Sequence, residues 1–364
     1  MKPDPTRHFA PSYAEARRAF LAAAEQCRAQ VVSHPISRRG ARGEELAIDA
    51  AYLGPGNPES LIVVTSGTHG VEGFAGSAIQ HQFLTEQSGA FGRRGMGMLL
   101  VHAVNPYGFA YLRRVNENNV DLNRNFLLHP DEHVPNPDYD SLYEAINPAV
   151  LATESEQTHQ GRLLEFAREH GPRRLQAALT CGQYTHPRGM QFGGVDDEES
   201  NRLVRRILRD EARGARRVAW IDLHTGLGPY GEYEMISQAA VDAPTYVRGR
   251  RWYGAAARST LAGESVTPHL NGDILDGALL EFEEDVEVTP FAPEFGTYEL
   301  NRVFLAMRAD NWLHHHGDLD SEEARAIKAE LLEVFRPARG EWQSLILERG
   351  ARILEQTRDG LNED

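Results

Sequence analysis

Four places in this sequence put polar groups just beyond an apolar run. His69 and Glu72 follow "LIVVT" in "SGTHGVEG". Arg113, Arg114, Asn123 and Arg124 lie in "RRVNENNVDLNRNF", downstream of "LLVHAVNPYGF". His224 closes "VAWIDLHTG", and Glu294 sits in "TPFAPEFGT". Two imidazoles and a carboxylate make a three-ligand zinc site whose fourth position stays open for water or substrate, as catalytic zinc requires. His-x-x-Glu spacing can put both ligands on one side of a tight turn entering a helix. Zinc so held acidifies water and polarises a carbonyl oxygen. Amide hydrolysis then needs a second carboxylate, not a ligand, to take the water's proton and return it to the leaving nitrogen. Glu294 is the candidate. Arginine suits the oxyanion of a tetrahedral intermediate and can grip a substrate carboxylate as a fork. The residues therefore point to one zinc ion per chain, held by His69, Glu72 and His224.

These groups lie far apart in sequence, so strand ends must bring them together. The pattern predicts a helix over residues 12–30, a strand over 44–53 and an apolar strand with a glycine loop over 60–70. A helix is expected over 73–87, then a strand from 95 that breaks at Asn105-Pro106. Residues 113–150 read as a long loop, and long loops in compact domains are usually functional or disordered. Helices are expected over 161–171 and 198–214, and strands with breaks over 216–232 and 286–297. The remainder reads as mostly helical, including 321–335 and 341–357. Strands alternating with helices predict an α/β fold: a single domain with a mixed, mostly parallel twisted sheet and helices on both faces. Ligands of such sheets bind beyond the carboxyl ends of the strands, where all four groups would lie.

The chain has 364 residues, 41% hydrophobic and 25% charged, enough for a core without disulfides. Its net charge of −15, with no basic stripe, argues against a nucleic-acid partner. No apolar run reaches the length of a membrane span. Cys27 and Cys181, in a chain that starts without an apolar leader, read as reduced thiols of a cytoplasmic protein. Nothing in the sequence specifies an oligomer.

Taken together, the motifs resemble the zinc metallocarboxypeptidase family, the carboxypeptidase A-like enzymes. Relatives of that family include bacterial cell-wall amidases and the aspartoacylase and succinylglutamate desuccinylase deacylases. His69 and Glu72 match the first motif. Arg114, Asn116 and "VDLNRNF" (Val120 to Phe126) match the second, His224 the second zinc histidine and Glu294 the general base. The chain looks closest to a bacterial branch with the "SGTHGVEG" signature. The resemblance covers about residues 45–316. It implies a carboxypeptidase-like catalytic domain there, with a helical extension (1–44) and C-terminal helices (317–364) packed on it. It also implies that Arg114 stabilises the oxyanion, and that Asn123 and Arg124 hold the carboxylate of a peptide or N-acyl amino acid. Asn119 stands where many members have glycine. Asparagine tolerates the left-handed backbone, so the turn is expected to survive. Carboxypeptidases place a tyrosine over the substrate ahead of the base. Tyr230, Tyr233 and Tyr253 fall in that interval without a matching context, and the deacylase relatives dispense with this residue.

Simpler roles compete. Glu72 near a helix N-terminus can serve the dipole. Glu299 is a rival base, and Arg113 a rival to Arg114. Asp222, two residues before His224 on a strand, would share its face and can orient it. His102 reads as a core histidine. "HHH" at 314–316 reads as a helix end. Asp273 and Asp276 read as turn residues that could instead select a basic side chain. A serine esterase would need a Gly-x-Ser-x-Gly elbow, which Ser66 and Ser77 lack.

Overall fold

A computed structural model describes residues 5–90, 95–127, 133–151, 153–212 and 214–363. Its strands are β1 (Gln30–Arg39), β2 (Glu45–Leu53), β3 (Ser60–Ser66), β4 (Met96–His102), β5 (Arg217–Gly226), β6 (Tyr233–Ser237), β7 (Ala257–Ser259) and β8 (Glu287–Gly296). The helices begin with α1 (Tyr13–Gln26), α2 (Gly73–Gln82), α3 (Pro106–Ala110), α4 (Pro137–Ile146), α5 (Thr153–His170) and α6 (Pro172–Thr180). They continue with α7 (Glu199–Glu211), α8 (Pro244–Tyr253), α9 (Ile274–Leu279), α10 (Leu300–His316), α11 (Glu322–Phe335) and α12 (Gly340–Glu363).

The strands form one eight-stranded sheet in the order β1-β2-β4-β3-β5-β8-β6-β7. The central run β4-β3-β5-β8 is parallel, and β2 and β6 flank it antiparallel. This is the mixed, mostly parallel α/β sheet that the sequence predicts. Alternation along the strands splits the core into two faces. Ile62 and Val64 of β3, with Ala219 and Ile221 of β5, pack under α1, α2, α8 and α12. Leu61 and Val63, with Val218 and Trp220, pack under α7 and α9. Covering both faces explains why β3 and β4 are buried along their whole length rather than alternating. α12 contributes Trp342, Ile346 and Ile353 to the same cluster as Phe20 of α1. Among the described residues no helix is long and apolar enough to cross a membrane.

Several expected boundaries are corrected. The helix expected over 12–30 starts at its Ser12 cap but ends at Gln26, and Gln30 already begins β1. β1 escaped the sequence reading because it is an edge strand exposed along most of its length and interrupted by Pro35, so it has no apolar period. The stretch 113–150 holds α4, capped by Asn136 with Pro137 at its first position; residues 128–132 of it lie outside the described residues. α6, α8, β6 and β7 are short elements beyond those the pattern predicts, and α9 forms where Asp273 and Asp276 read as turn residues.

His102 is a core residue. It stacks on Phe20, with ring centroids 4.6 Å apart, and its Nε2 lies 3.0 Å from Ser77 Oγ. Burial pushes its pKa down to about 4. Above pH 6.5 the ring is neutral in both states and costs nothing. As the pH falls from 6.5 toward 4, the unfolded chain takes a proton that the folded chain refuses. Stability is then lost by up to about 3 kcal/mol from this group. Denaturant unfolding at pH 7 and pH 4.5 should show a smaller loss for His102→Gln than for the parent. An equal loss would exclude His102 as its source.

Candidate active site

The three parallel strands β3, β5 and β8 deliver their side chains at the same edge of the sheet. β3 ends at Ser66, and Gly67 turns the chain with φ +69°, a conformation that glycine adopts without strain. His69 is extended, and Gly70–Glu72 form a single 3₁₀ turn into α2. Gly70 N–H donates to Arg114 O and Val71 N–H to Arg113 O, so the ligand turn is hydrogen-bonded to the arginine segment. A Cβ on Gly70 would lie 2.1 Å from the Gly108 carbonyl carbon, so only glycine permits this approach. His224 lies within β5, and its Cα partner on β8 is Glu294.

His69 Nδ1 is 2.7 Å from Glu72 Oε1, His224 Nδ1 is 3.2 Å from Glu72 Oε2, and the two Nδ1 atoms are 3.2 Å apart. The opposite nitrogen of each ring meets a buried carboxylate. His69 Nε2 is 3.1 Å from Asp121 Oδ1, and His224 Nε2 is 2.5 Å from Asp222 Oδ2. With Nε2–H directed at these carboxylates, both rings turn Nδ1 lone pairs toward the Glu72 oxygens. Three lone-pair donors facing one another are stable only around positive charge, and this donor set fits a single metal ion. The shifts agree. Burial disfavours the Glu72 carboxylate, yet the two imidazoles outweigh it and hold its pKa below the usual range. Burial likewise opposes a charged His224, but Asp222 and Glu72 raise its pKa well above the ordinary value. Among the described residues, His69, Glu72 and His224 are the one group whose donor atoms converge for a metal, all within 4.8 Å.

Asp222 does more than share a face with His224. Its Oδ1 accepts from Thr65 Oγ1 at 2.5 Å and Thr68 Oγ1 at 2.8 Å, which leaves Oδ2 aimed at the ring. Asp222→Asn should therefore weaken metal affinity about 10- to 100-fold. Competition with a chelator of known affinity reads this directly, and unchanged affinity would assign Asp222 to the fold alone.

One cavity is lined by His69, Glu72, His224, Arg114 and Glu294 together with Asn123 and Arg124. Glu294 is buried, and its Oε1 accepts from Leu227 N–H at 2.8 Å. Burial, reinforced by the Glu72 charge, pushes its pKa up to about 8. Glu299 is exposed at the start of α10 and does not line the cavity. The adjacent arginines diverge. Arg113 turns away to Asp310 and Asn119. Arg114 faces the cavity, donating to Asp121 and, at 3.2 Å, to Gln191 Oε1. Asp121 thereby bridges Arg114 to His69; burial opposes its charge, but Arg114, Arg124 and His69 hold its pKa far below the ordinary value. Arg124 donates through Nε and Nη2 to Thr180 O and through Nη1 to Asn123 O, which fixes the guanidinium at the cavity wall. Asn123 Oδ1 accepts from Ile274 N–H at 3.0 Å, so its amide NH₂ is left to turn inward.

Asn119 has φ +62°, the left-handed turn expected of it. It also does what glycine could not: Nδ2 donates to Pro187 O and Gly189 O, and Oδ1 accepts from Arg113 Nη2. Ser77 and His102 form a nucleophile-like pair, but both are buried and line no described cavity. "HHH" ends α10 and has no part in the metal cluster: His314 Nε2 accepts from Lys328 Nζ at 2.7 Å. Asp273 lines the cavity and Asp276 does not. Tyr230 packs on Tyr298, Tyr233 on Phe295 and Tyr253 in the core against Thr357; no tyrosine lines the cavity among the described residues. Sequence reasoning missed Gln191 and the apolar wall of Val303, Met307 and Phe335, which long-range packing supplies.

Fold and site together define an α/β protein with a buried His-x-x-Glu…His metal-type centre at the carboxyl edge of its sheet. The chain belongs to the family described as protein of unknown function (DUF2817), whose model matches residues 9–349. No curated protein matches it. Among solved structures it is similar to carboxypeptidase A from Helicoverpa armigera, at 13% identity and TM-score 0.49, covering 90% of this chain and 74% of that one. It is also similar to bovine thrombin-activatable fibrinolysis inhibitor, solved with a tick carboxypeptidase inhibitor, at 14% identity and TM-score 0.46 over 93% and 97% of the two chains. A third is a Shewanella frigidimarina protein assigned provisionally as a succinylglutamate desuccinylase/aspartoacylase, at 18% identity and TM-score 0.36 over 79% and 72%.

Proposed function

We propose that this protein is a zinc-dependent, carboxypeptidase-like hydrolase of amide bonds that acts on substrates with a free carboxylate. The observation that carries the reading is the convergence of His69, Glu72 and His224 with Glu294 and Arg114 in one cavity. Held by the two Nδ1 atoms and Glu72, zinc would supply a Lewis acid and lower the pKa of water. Glu294 takes the proton of the attacking water on its carboxylate and passes it to the leaving nitrogen. Arg114 holds the negative charge that develops on the carbonyl oxygen, its guanidinium oriented by Asp121. Asn123 and Arg124 hold the substrate's carboxylate and set the distance from it to the scissile bond. Two free thiols, Cys27 and Cys181, support a reducing compartment, the cytoplasm.

A second reading, an N-acyl amino acid deacylase on the same frame, is favoured by the cavity's lack of a tyrosine among the described residues. The two are separated by incubating zinc-loaded protein with short peptides and N-acyl amino acids, each as free acid and as C-terminal amide. Products are read by mass spectrometry. Loss of a terminal residue from free-acid peptides alone supports the carboxypeptidase reading. Cleavage of N-acyl amino acids alone replaces it with the deacylase. Cleavage of amides at equal rates removes Asn123 and Arg124 from carboxylate recognition.

A further inference from the structure

Among the described residues, five that are not glycine have left-handed backbones: Arg28, Ala103, Leu112, Asn119 and Gln191. Of these, only Gln191 lines the cavity. Its φ is +59°, a conformation that costs a residue of its kind about 1–2 kcal/mol and persists only where its surroundings impose it. The surroundings here are specific. Met190 N–H donates to Asn147 Oδ1, and Met190 O accepts from Tyr139 OH and Gln183 Nε2. Gln191 O accepts from Gln183 N–H, and Phe192 O accepts from Asp121 N–H. Both neighbours and Gln191 itself are thus pinned, and the side chain is directed at Arg114.

That side chain is buried. Because arginine can only donate, the contact at 3.2 Å from Arg114 Nη1 identifies the Gln191 atom as Oε1. The amide NH₂ makes no hydrogen bond among the described residues, and Gln191 lines both the cavity that holds the metal-type centre and a smaller one beside Arg113 and Asp310. A buried amide with its oxygen fixed by a guanidinium has its donor end fixed as well.

We propose that Gln191 is a further oxygen-binding residue of the site: Oε1 positions Arg114 while the Nε2 amide donates to the same ligand oxygen that Arg114 serves. This rests on the hydrolytic reading above. In that reaction the paired donors meet the carbonyl oxygen and strengthen their hold as it becomes an oxyanion. No motif announces Gln191, since its place depends on the 183–193 loop closing over Arg114.

Two variants test the idea. Gln191→Gly removes the amide while suiting the left-handed backbone, so the melting temperature and zinc content should hold. Its kcat should fall about 10- to 100-fold, and its KM should rise about tenfold as the ground-state hydrogen bond is lost. Gln191→Glu keeps an acceptor for Arg114 but loses the donor and adds negative charge. It should be at least as impaired as the glycine variant. Wild-type kcat in Gln191→Gly overturns the proposal; full activity in Gln191→Glu reduces Gln191 to a support for Arg114 and overturns the donor role. Binding is read separately by calorimetry with N-acetyl-L-leucine on the Glu294→Gln background. Adding Gln191→Gly should weaken affinity about tenfold, and equal affinity counts against the contact. If the parent hydrolyses neither peptides nor N-acyl amino acids while this difference in affinity persists, the hydrolytic reading fails and the Gln191 contact stands.

Discussion

Glu294→Gln should reduce amide hydrolysis by about a thousandfold or more, with fold and metal content unchanged. General base catalysis is usually worth about 10²–10⁴-fold, and here the same carboxylate both takes and returns the proton. The substitution is isosteric, and glutamine still offers an oxygen to Leu227 N–H. A neutral amide suits this buried position, where burial and Glu72 already push the carboxyl's pKa up to about 8. The melting temperature of the metal-free protein should therefore stay level or rise. Rates, metal content by atomic absorption and thermal unfolding on the same preparation separate a chemical defect from a structural one. An active Glu294→Gln variant would remove Glu294 from proton transfer and leave the proposed mechanism without a base.

Glu72→Ala should have an effect as large, by a different route. It removes the one anionic ligand and leaves only the two imidazoles, so zinc content should fall well below one per chain. Hydrolysis should drop to background. His224→Ala should do the same and also leave Asp222 without its ring partner. Chelation of the parent should reproduce the loss, and added zinc should reverse it. Because an ion that binds only the folded state stabilises it, saturating zinc at about a thousand times its dissociation constant should add about 4 kcal/mol. That gain should be absent in Glu72→Ala. A variant that keeps both stoichiometric zinc and the thermal gain would show that the metal sits elsewhere.

The site was legible where chemistry is tied to local spacing. His69 and Glu72 share one turn, and Asn119 takes the left-handed backbone that its place in the motif calls for. Strand ends such as that of β3 were legible because an apolar run stops at a glycine loop. Residues outside such runs were not. β1 is exposed on an edge and reads like a loop. The choice between Arg113 and Arg114, neighbours in sequence with the same chemistry, rests on what each meets in space: Asp310 and Asn119 for one, Asp121 and the cavity for the other.

By itself the sequence determined the alternation of strands and helices, the chemical types available at the strand ends and the donor set for a metal. These follow from periodicity and from groups within a few residues of one another. Only the tertiary structure decided which groups meet. Parallel pairing of β3, β5 and β8 sets His69, Glu72, His224 and Glu294 side by side. Asp121 and Asp222 then fix which ring nitrogens face Glu72, and a distant loop brings Gln191 to Arg114, 77 positions away. Such contacts depend on strand register and loop closure, which are settled by burial across the whole sheet rather than by any local pattern.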